Sequence, residues 1–274
     1  IGTVTADNGG ATLPNIRVIA FRYVTGPNSS YWQQVKDVFS ISGGSYSIGG
    51  LPTGTYRLRF TDDSGTYAPE HHDNQIEFDN ATGITLAPAG TVSNNASLAI
   101  ASRIQGTVTD EGGLSGLSGV TVFAYRFNGS GIWNSVNSTS TNGNGIYDLG
   151  GLTPGDYRIY FFVPSGLKQS EYYDDTTDFG SASIIPVGSA ATLTNYDASL
   201  AEAGLIEGTI TDSSGTGIPN INVYVYRWNA SGFYWEYISN GYTEGNGTYV
   251  VGGLPTGTYR VGTYDNSGIY PERY

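Results

Sequence analysis

Cysteine is absent from the 274 residues, and so is methionine. Without thiols the chain can form neither a disulfide nor a thiolate metal centre. Charged side chains make up only 13%, where globular domains average about 25%. There are two lysines, Lys36 and Lys168, and one adjacent pair of histidines, His71 and His72. No nucleophile–base constellation recurs, and neither a G-x-S-x-G elbow nor a phosphate-binding loop is present. These gaps predict a protein that is not an enzyme. A net charge of −12 lacks the basic stripe that nucleic-acid binding requires. No apolar run approaches the roughly 18 residues of a membrane-crossing helix. The missing methionine extends to the first position, so Ile1 is not expected to be a natural start, and a trimmed N-terminus would have lost any signal peptide.

What the chain has in abundance is glycine (40 residues), tyrosine (22 residues) and repetition. The phrase Gly49-Gly50-Leu51-Pro52-Thr53-Gly54-Thr55-Tyr56-Arg57 returns 101 residues later from Gly150 to Arg158, and 102 residues after that from Gly252 to Arg260. A period of this length is one small domain, not a solenoid repeat. It divides the chain into units 1–100, 101–203 and 204–274. Each unit opens with a β-rich run such as Ile104-Gln105-Gly106-Thr107-Val108-Thr109. Strict alternation follows: Ile16, Val18 and Ala20 match Val120, Val122 and Ala124, then Ile221, Val223 and Val225. Period two with small or β-branched residues on one side marks a strand with that side toward a core. The Pro-Thr-Gly turn launches a later strand through Tyr56, Leu58 and Phe60 and its equivalents, since Pro presets the turn and Gly relaxes it. Seven short strands per unit, separated by turn signals, predict an all-β chain of three tandem Ig-like or transthyretin-like β-sandwiches. The third unit is expected to lack its last two strands, leaving an open edge that another chain could fill.

The pattern I-x-G-T-V-T-D, then G-V-x-V-x-A-Y, then G-x-Y-x-L-x-G-L-P-x-G-x-Y-R resembles carboxypeptidase regulatory-like and collagen-adhesin B-type (CnaB-like) repeats. The resemblance covers essentially the whole chain and implies transthyretin-like sandwiches carried in tandem on prokaryotic surface proteins. It also raises the Lys–Asn isopeptide cross-link of many such domains, with the lysine on the first strand. Here the matching positions are Val4, Val108 and Ile210, and Lys36 and Lys168 lie elsewhere, so that cross-link is not expected.

Three sets of side chains qualify as candidate sites. Glu70, Glu171 and Glu272 recur, and with Asp73, Asp174 and Asp175 they offer oxygen ligands suited to Ca²⁺. The competing explanation, a glutamate anchoring a loop, is favoured, so no cofactor is expected. His71-His72 aligns with Tyr172-Tyr173 and reads as an aromatic packing variant. Asp62, Asp63 and Asp265 precede Ser-Gly turns, but the second unit has Val163 and Pro164 there, which points to turn chemistry rather than a metal. The aromatic side of the alternating strand (Phe21, Tyr23, Phe123, Tyr125, Tyr224, Tyr226), with Trp32, Trp133 and Trp235, could stack on sugars or pack against a loop, a neighbouring domain or a subunit. Packing is favoured. Of seven Asn-x-Ser/Thr sequons, Asn28, Asn128 and Asn229 all fall in the same hairpin loop and are the candidates for N-glycosylation.

Linkers of a few residues, Ala99–Arg103 and Ala201–Gly204, predict stiffly coupled units. The leading expectation is an extracellular, cell-surface stalk or filament subunit that self-associates into a polymer, in one version by β-strand complementation between chains. The alternative is a carbohydrate-binding or adhesive module of a larger secreted protein.

Overall fold

A computed structural model of the chain describes residues 1–7, 10–27, 29–230 and 232–271. Asn28 and Glu272, discussed above, lie outside them. The described residues contain no α-helix. The first unit runs β1 (Gly2–Ala6), β2 (Arg17–Thr25), β3 (Ser30–Phe39), β4 (Ser45–Tyr46), β5 (Gly54–Thr61), β6 (Glu70–His71), β7 (Ile84–Leu86) and β8 (Ala96–Leu98). The second runs β9 (Ser102–Asp110), β10 (Thr121–Phe127), β11 (Trp133–Ser140), β12 (Ile146–Leu152), β13 (Gly155–Phe162), β14 (Glu171–Tyr172), β15 (Ile185–Val187), β16 (Thr192–Leu193) and β17 (Ala198–Leu200). The third has β18 (Gly204–Thr209), β19 (Asn222–Asn229), β20 (Tyr234–Tyr242), β21 (Thr248–Leu254) and β22 (Tyr259–Tyr264).

Each of the first two units is a pair of facing sheets. In the first, β4-β1-β8 packs against β3-β2-β5-β6, with β7 alongside β5. The second repeats this with β12-β9-β17 and β11-β10-β13-β14, with β15 on β13. The expected count of seven strands per unit therefore needs correction. β6 and β14 are two-residue strands that follow a long loop, too short for any alternation to announce them, and β16 is a further two-residue strand. β8 lies parallel to β1 in the register Val4↔Ala96, and β17 lies parallel to β9 with Val108↔Ala198. In the third unit β18 pairs only with β21 among the described residues.

The alternation seen in the sequence points inward. Val18, Ala20, Val122, Ala124, Val223 and Val225 are all fully buried. In the first unit they meet Val4, Phe60 and Leu98, and in the second Val108, Phe161 and Leu200. Burying a phenylalanine of this kind stabilises by about 2–3 kcal/mol. The third unit buries a smaller cluster, centred on Val223, Val225, Val251 and Leu254. A β-bulge interrupts the hairpin at Ala20/Phe21, Ala124/Tyr125 and Val225/Tyr226 alike.

A buried hydroxyl latches the same loop in every unit. Ser40 Oγ accepts from Ile16 N (2.9 Å) and donates to Leu13 O (2.7 Å). Thr141 Oγ1 accepts from Val120 N (3.0 Å) and donates to Leu117 O (2.5 Å). Thr243 Oγ1 accepts from Ile221 N (2.9 Å) and donates to Ile218 O (2.6 Å). Thr141→Val keeps the shape and strands a buried N–H and a buried carbonyl. Its expected effect is a loss of about 2 kcal/mol, read as a lower urea midpoint with an unchanged slope. An unchanged midpoint would show that the latch is dispensable.

Candidate functional site

The recurrent phrase can be followed residue by residue. Its tyrosine bends back on its own turn: Tyr56 Oη donates to Pro52 O (2.5 Å), Tyr157 Oη to Thr153 O (2.7 Å), and Tyr259 Oη to Pro255 O. This is the logic of a tyrosine corner, in which a ring in the core fixes a turn by one hydrogen bond. The arginine that follows lies over the unit's tryptophan: Arg57 over Trp32 at 4.4 Å, Arg158 over Trp133 at 4.5 Å, and Arg260 over Trp235 at 4.3 Å from the ring centroids. Each such contact contributes about 0.5–1 kcal/mol.

The candidate stacking aromatics are engaged within their own units. The loop after β6 returns Phe78 onto Phe21 (5.0 Å) and Trp32 (5.8 Å). The loop after β14 returns Phe179 onto Tyr125 (5.6 Å) and Trp133 (5.9 Å). His71 meets Phe78 edge-on at 5.4 Å, as Tyr172 meets Phe179 at 5.4 Å, so imidazole and phenol occupy one packing position. Phe123 stacks on Tyr160. Tyr23, on Trp32, is 44% exposed. In the third unit Tyr224 and Tyr226 pack on Tyr237, which is 52% exposed. All three tryptophans of the set are half-buried.

The carboxylates do not converge. Asp73 Oδ2 accepts from Thr82 Oγ1 (2.9 Å) and Asp174 Oδ2 from Ser183 Oγ (2.7 Å). Asp73-Asn74 and Asp174-Asp175 adopt left-handed φ of 70° and 54°, and of 76° and 55°. Asn and Asp tolerate that region better than most side chains. Glu70 and Glu171 turn instead toward the sandwich, and burial raises both carboxyls to about 7. No three His, Asp or Glu side chains gather to hold a metal among the described residues. At the sequons, Asn128 Oδ1 accepts from Ser130 N and Ile132 N, and Asn229 closes its loop onto Gly232 N.

The Gly-Gly pair that opens the phrase has a role that comparing units one at a time does not reveal. Besides forming a turn and launching a strand, the phrase takes part in a contact between units. The turn after β5 brings Gly65 against the next unit, where Gly65 O accepts from Gly151 N (3.0 Å). The turn after β13 does the same, and Gly166 O accepts from Gly253 N (2.7 Å). An added side chain would crowd the joint, most severely at the first glycine of each pair. A Cβ on Gly150 would lie 2.9 Å from Gly65 O, and one on Gly252 would lie 2.6 Å from Gly166 O. The linker is fixed alongside. Ala68 N donates to Ala99 O and Ala101 N to Thr66 O, and at the second joint Gln169 N donates to Ala201 O and Ala203 N to Leu167 O. Arg126 reaches back across the first joint to Glu77, and Lys168 pairs with Glu202 in the second linker.

Asp62 shapes the first turn, accepting from Ser64 N, Thr66 N and Tyr67 N at 2.9–3.0 Å. Asp265 accepts from Ser267 N, Ile269 N and Tyr270 N at 2.8–2.9 Å. The Ser267 hydroxyl first, and then these backbone bonds, hold the Asp265 carboxyl down at about 2. The Asp residues before Ser-Gly thus serve as turn formers. In the second unit Val163 stands in that place, and its N–H donates instead to Ser170 Oγ.

No protein-family model matches the chain. It is 25% identical over 292 residues to serine-aspartate repeat-containing protein F of Staphylococcus epidermidis, a match that covers 92% of this chain and 16% of that protein. It is 27% identical over 256 residues to serine-aspartate repeat-containing protein D of Staphylococcus aureus (strain Newman), covering 83% and 19%. The chain therefore spans less than a fifth of the length of these relatives. Among solved structures it is similar to the Bacillus anthracis TIE protein (15% identity, TM-score 0.30, 99% of this chain and 46% of that one). It is also similar to a streptococcal ancillary pilin (10% identity, TM-score 0.32, 95% and 88%).

Proposed function

We propose that the chain is a stiff, non-enzymatic spacer of tandem β-sandwiches within a cell-surface protein, setting the distance between what it carries and what anchors it. The observation that carries this reading is the joint itself, built twice from the same parts. A glycine carbonyl of one unit caps the Gly-Gly of the next, and two backbone hydrogen bonds fix the linker. A linker held in this way does not behave as a random coil. Likeness over most of the chain to the serine-aspartate repeat-containing proteins supports the surface setting. Within this reading the repeats are of the CnaB-like or carboxypeptidase regulatory-like kind, on the strength of the phrase and the parallel last strand. Among the described residues β18 pairs only with β21, and strand complementation on its other edge is kept as one mode of assembly within this reading.

Pulsed electron resonance between spin labels on the first and third units tests stiffness. One narrow distance distribution is expected. Gly65→Val and Gly166→Val should broaden it while each unit stays folded. At those glycines an added Cβ would come within 3.2 Å of Gly151 N and 3.0 Å of Gly252 C, and φ is positive. A wild-type distribution as broad as that of a flexible linker would overturn the spacer reading.

A further inference from the structure

Among the described residues one cation is left without a partner. Every other described lysine and arginine has a hydrogen bond, an ion pair or a ring contact for its side chain. The side chain of Arg59 has none among the described residues, and its Nε is buried and unpaired. Holding a charge partly out of water without a partner is costly. Burial, and Arg17 beside it, lower its pKa from the usual guanidinium value. The fold does not ask for this arginine. Arg59 pairs with Ile19 between β2 and β5, and the matching pairs are Phe123 with Tyr160 and Tyr224 with Gly262. In the second unit Tyr160 simply packs on Phe123, Phe162 and Tyr172.

Arg59 lines a cleft of about 410 Å³ at the first joint, with walls from both units. Small-molecule sites start at roughly 300 Å³. On the first unit's side Trp32 and Phe78, packed edge to face, make an apolar wall. His71 pairs with Arg59 between β5 and β6, and its Nδ1 donates to Ile76 O at 3.1 Å, which leaves Nε2 to accept. The second unit adds Asn134 and Ser135, both exposed and without side-chain hydrogen bonds among the described residues. Glu77 and Arg126, also in the lining, neutralise each other across the joint. Arg59 therefore leaves the cleft positive. We propose that this cleft binds a small carboxylate-bearing sugar, with its carboxylate on Arg59, its ring against Trp32 and Phe78, and its hydroxyls on Asn134, Ser135 and His71. A guanidinium matches a carboxylate in charge and in planar geometry. Flat apolar rings beside neutral amide, hydroxyl and imidazole groups suit the C–H face and the hydroxyls of a sugar, whereas a peptide carboxylate needs only the arginine. The site goes beyond the spacer reading but uses its joint, because the two walls belong to different units.

The test is an NMR titration of the whole ¹⁵N-labelled chain with the methyl glycosides of glucuronic acid and N-acetylneuraminic acid, and with methyl glucoside as the uncharged counterpart. At least one acidic sugar should give saturable shifts at the Arg59 and Trp32 side chains and, across the joint, at Asn134 and Ser135. Methyl glucoside should give none at the same concentration. Arg59→Tyr, which copies the second unit, should lower the affinity by about tenfold or more. Asn134→Ala, on the opposite wall, should weaken binding several-fold with the charge untouched. Added salt should weaken it as well. If neither acidic sugar binds while spin labels on the first two units keep one narrow distance, the site is overturned and the spacer reading stands. No binding together with a broad distance distribution overturns both. Equal binding of methyl glucoside, or binding that survives Arg59→Tyr, overturns the proposal by removing the role of the arginine. An N-acetyl-glutamate amide that binds as tightly as the acidic sugars overturns the assignment to a sugar.

Discussion

Between pH 5 and pH 8 the chain is expected to lose stability, and Glu171→Gln should remove most of that loss from the second unit. Glu70 and Glu171 open β6 and β14, opposite Phe60 and Phe161. Glu171 is 7% exposed, and its Oε1 is buried without a hydrogen-bond partner. Burial is the main cause of both raised carboxyls, helped by the negative charge of Asp7 near Glu70 and of Asp175 near Glu171. A hydrogen bond from the Ser97 backbone to Glu70 pulls the other way. Folding therefore takes up protons in the window between the ordinary value of 4.5 and about 7. Where the folded state binds more protons, stability falls as pH rises. It is fully present below the lower value and lost through the upper one. One pKa unit corresponds to about 1.4 kcal/mol, so the buried Glu171 accounts for a loss on the order of 3 kcal/mol, and the half-buried Glu70, screened by solvent, for less. Asp178, Asp212 and Asp265 are held low by hydrogen bonds and act in the opposite sense, at lower pH. Urea midpoints across this range check the prediction. A midpoint for the second unit that is flat with pH, or one that keeps its slope in Glu171→Gln, would refute it.

The same glutamates show where the sequence is a good guide and where it is not. Their recurrence was visible, but the reason for it was not, because a two-residue strand after a long loop has no periodicity from which burial can be inferred. The alternation at Val18 and Ala20 made the sandwich legible because a strand's two faces differ locally. Phe78 and Phe179 cover the aromatic face by folding back across it, a contact between residues far apart in the chain. Their spacing of 101 residues was nevertheless available. So was that of Ser40, Thr141 and Thr243, which recur at the period of the phrase. The Ser-Gly turns at Gly65, Gly166 and Gly268 and the Gly-Gly pairs share that period as well. Aligning units against one another shows that both are required. It hides that they are required by each other, because the contact joins one unit to the next.

Gly106→Ala is expected to destabilise the second unit by about 3 kcal/mol, the upper end of what overpacking costs. Gly106 pairs with Tyr147 between β9 and β12. The ring of Tyr147 folds over it so that its hydroxyl donates to Tyr196 O at 2.7 Å. An added Cβ would fall 2.2 Å from that same oxygen, 2.6 Å from its carbon and 3.0 Å from the tyrosine ring. The obstacle is main chain just before β17, so relief requires moving the segment that delivers Ala198 and Leu200 into the core. The first unit repeats the arrangement: Tyr46 Oη donates to Asn94 O at 2.6 Å, and a Cβ on Gly2 would lie 1.8 Å from Asn94 O. The third unit supplies the control. At Gly208 the three nearest atoms, from 2.8 to 3.0 Å, all belong to the hydroxyl and ring of Tyr249, and none is backbone. A tyrosine tip can swing aside where a main chain cannot, so Gly208→Ala should be milder by several-fold. Urea unfolding followed through unit-specific NMR signals separates the two. Equal losses at Gly106 and Gly208 would mean that the tyrosine, and not the incoming strand, makes glycine necessary at this position.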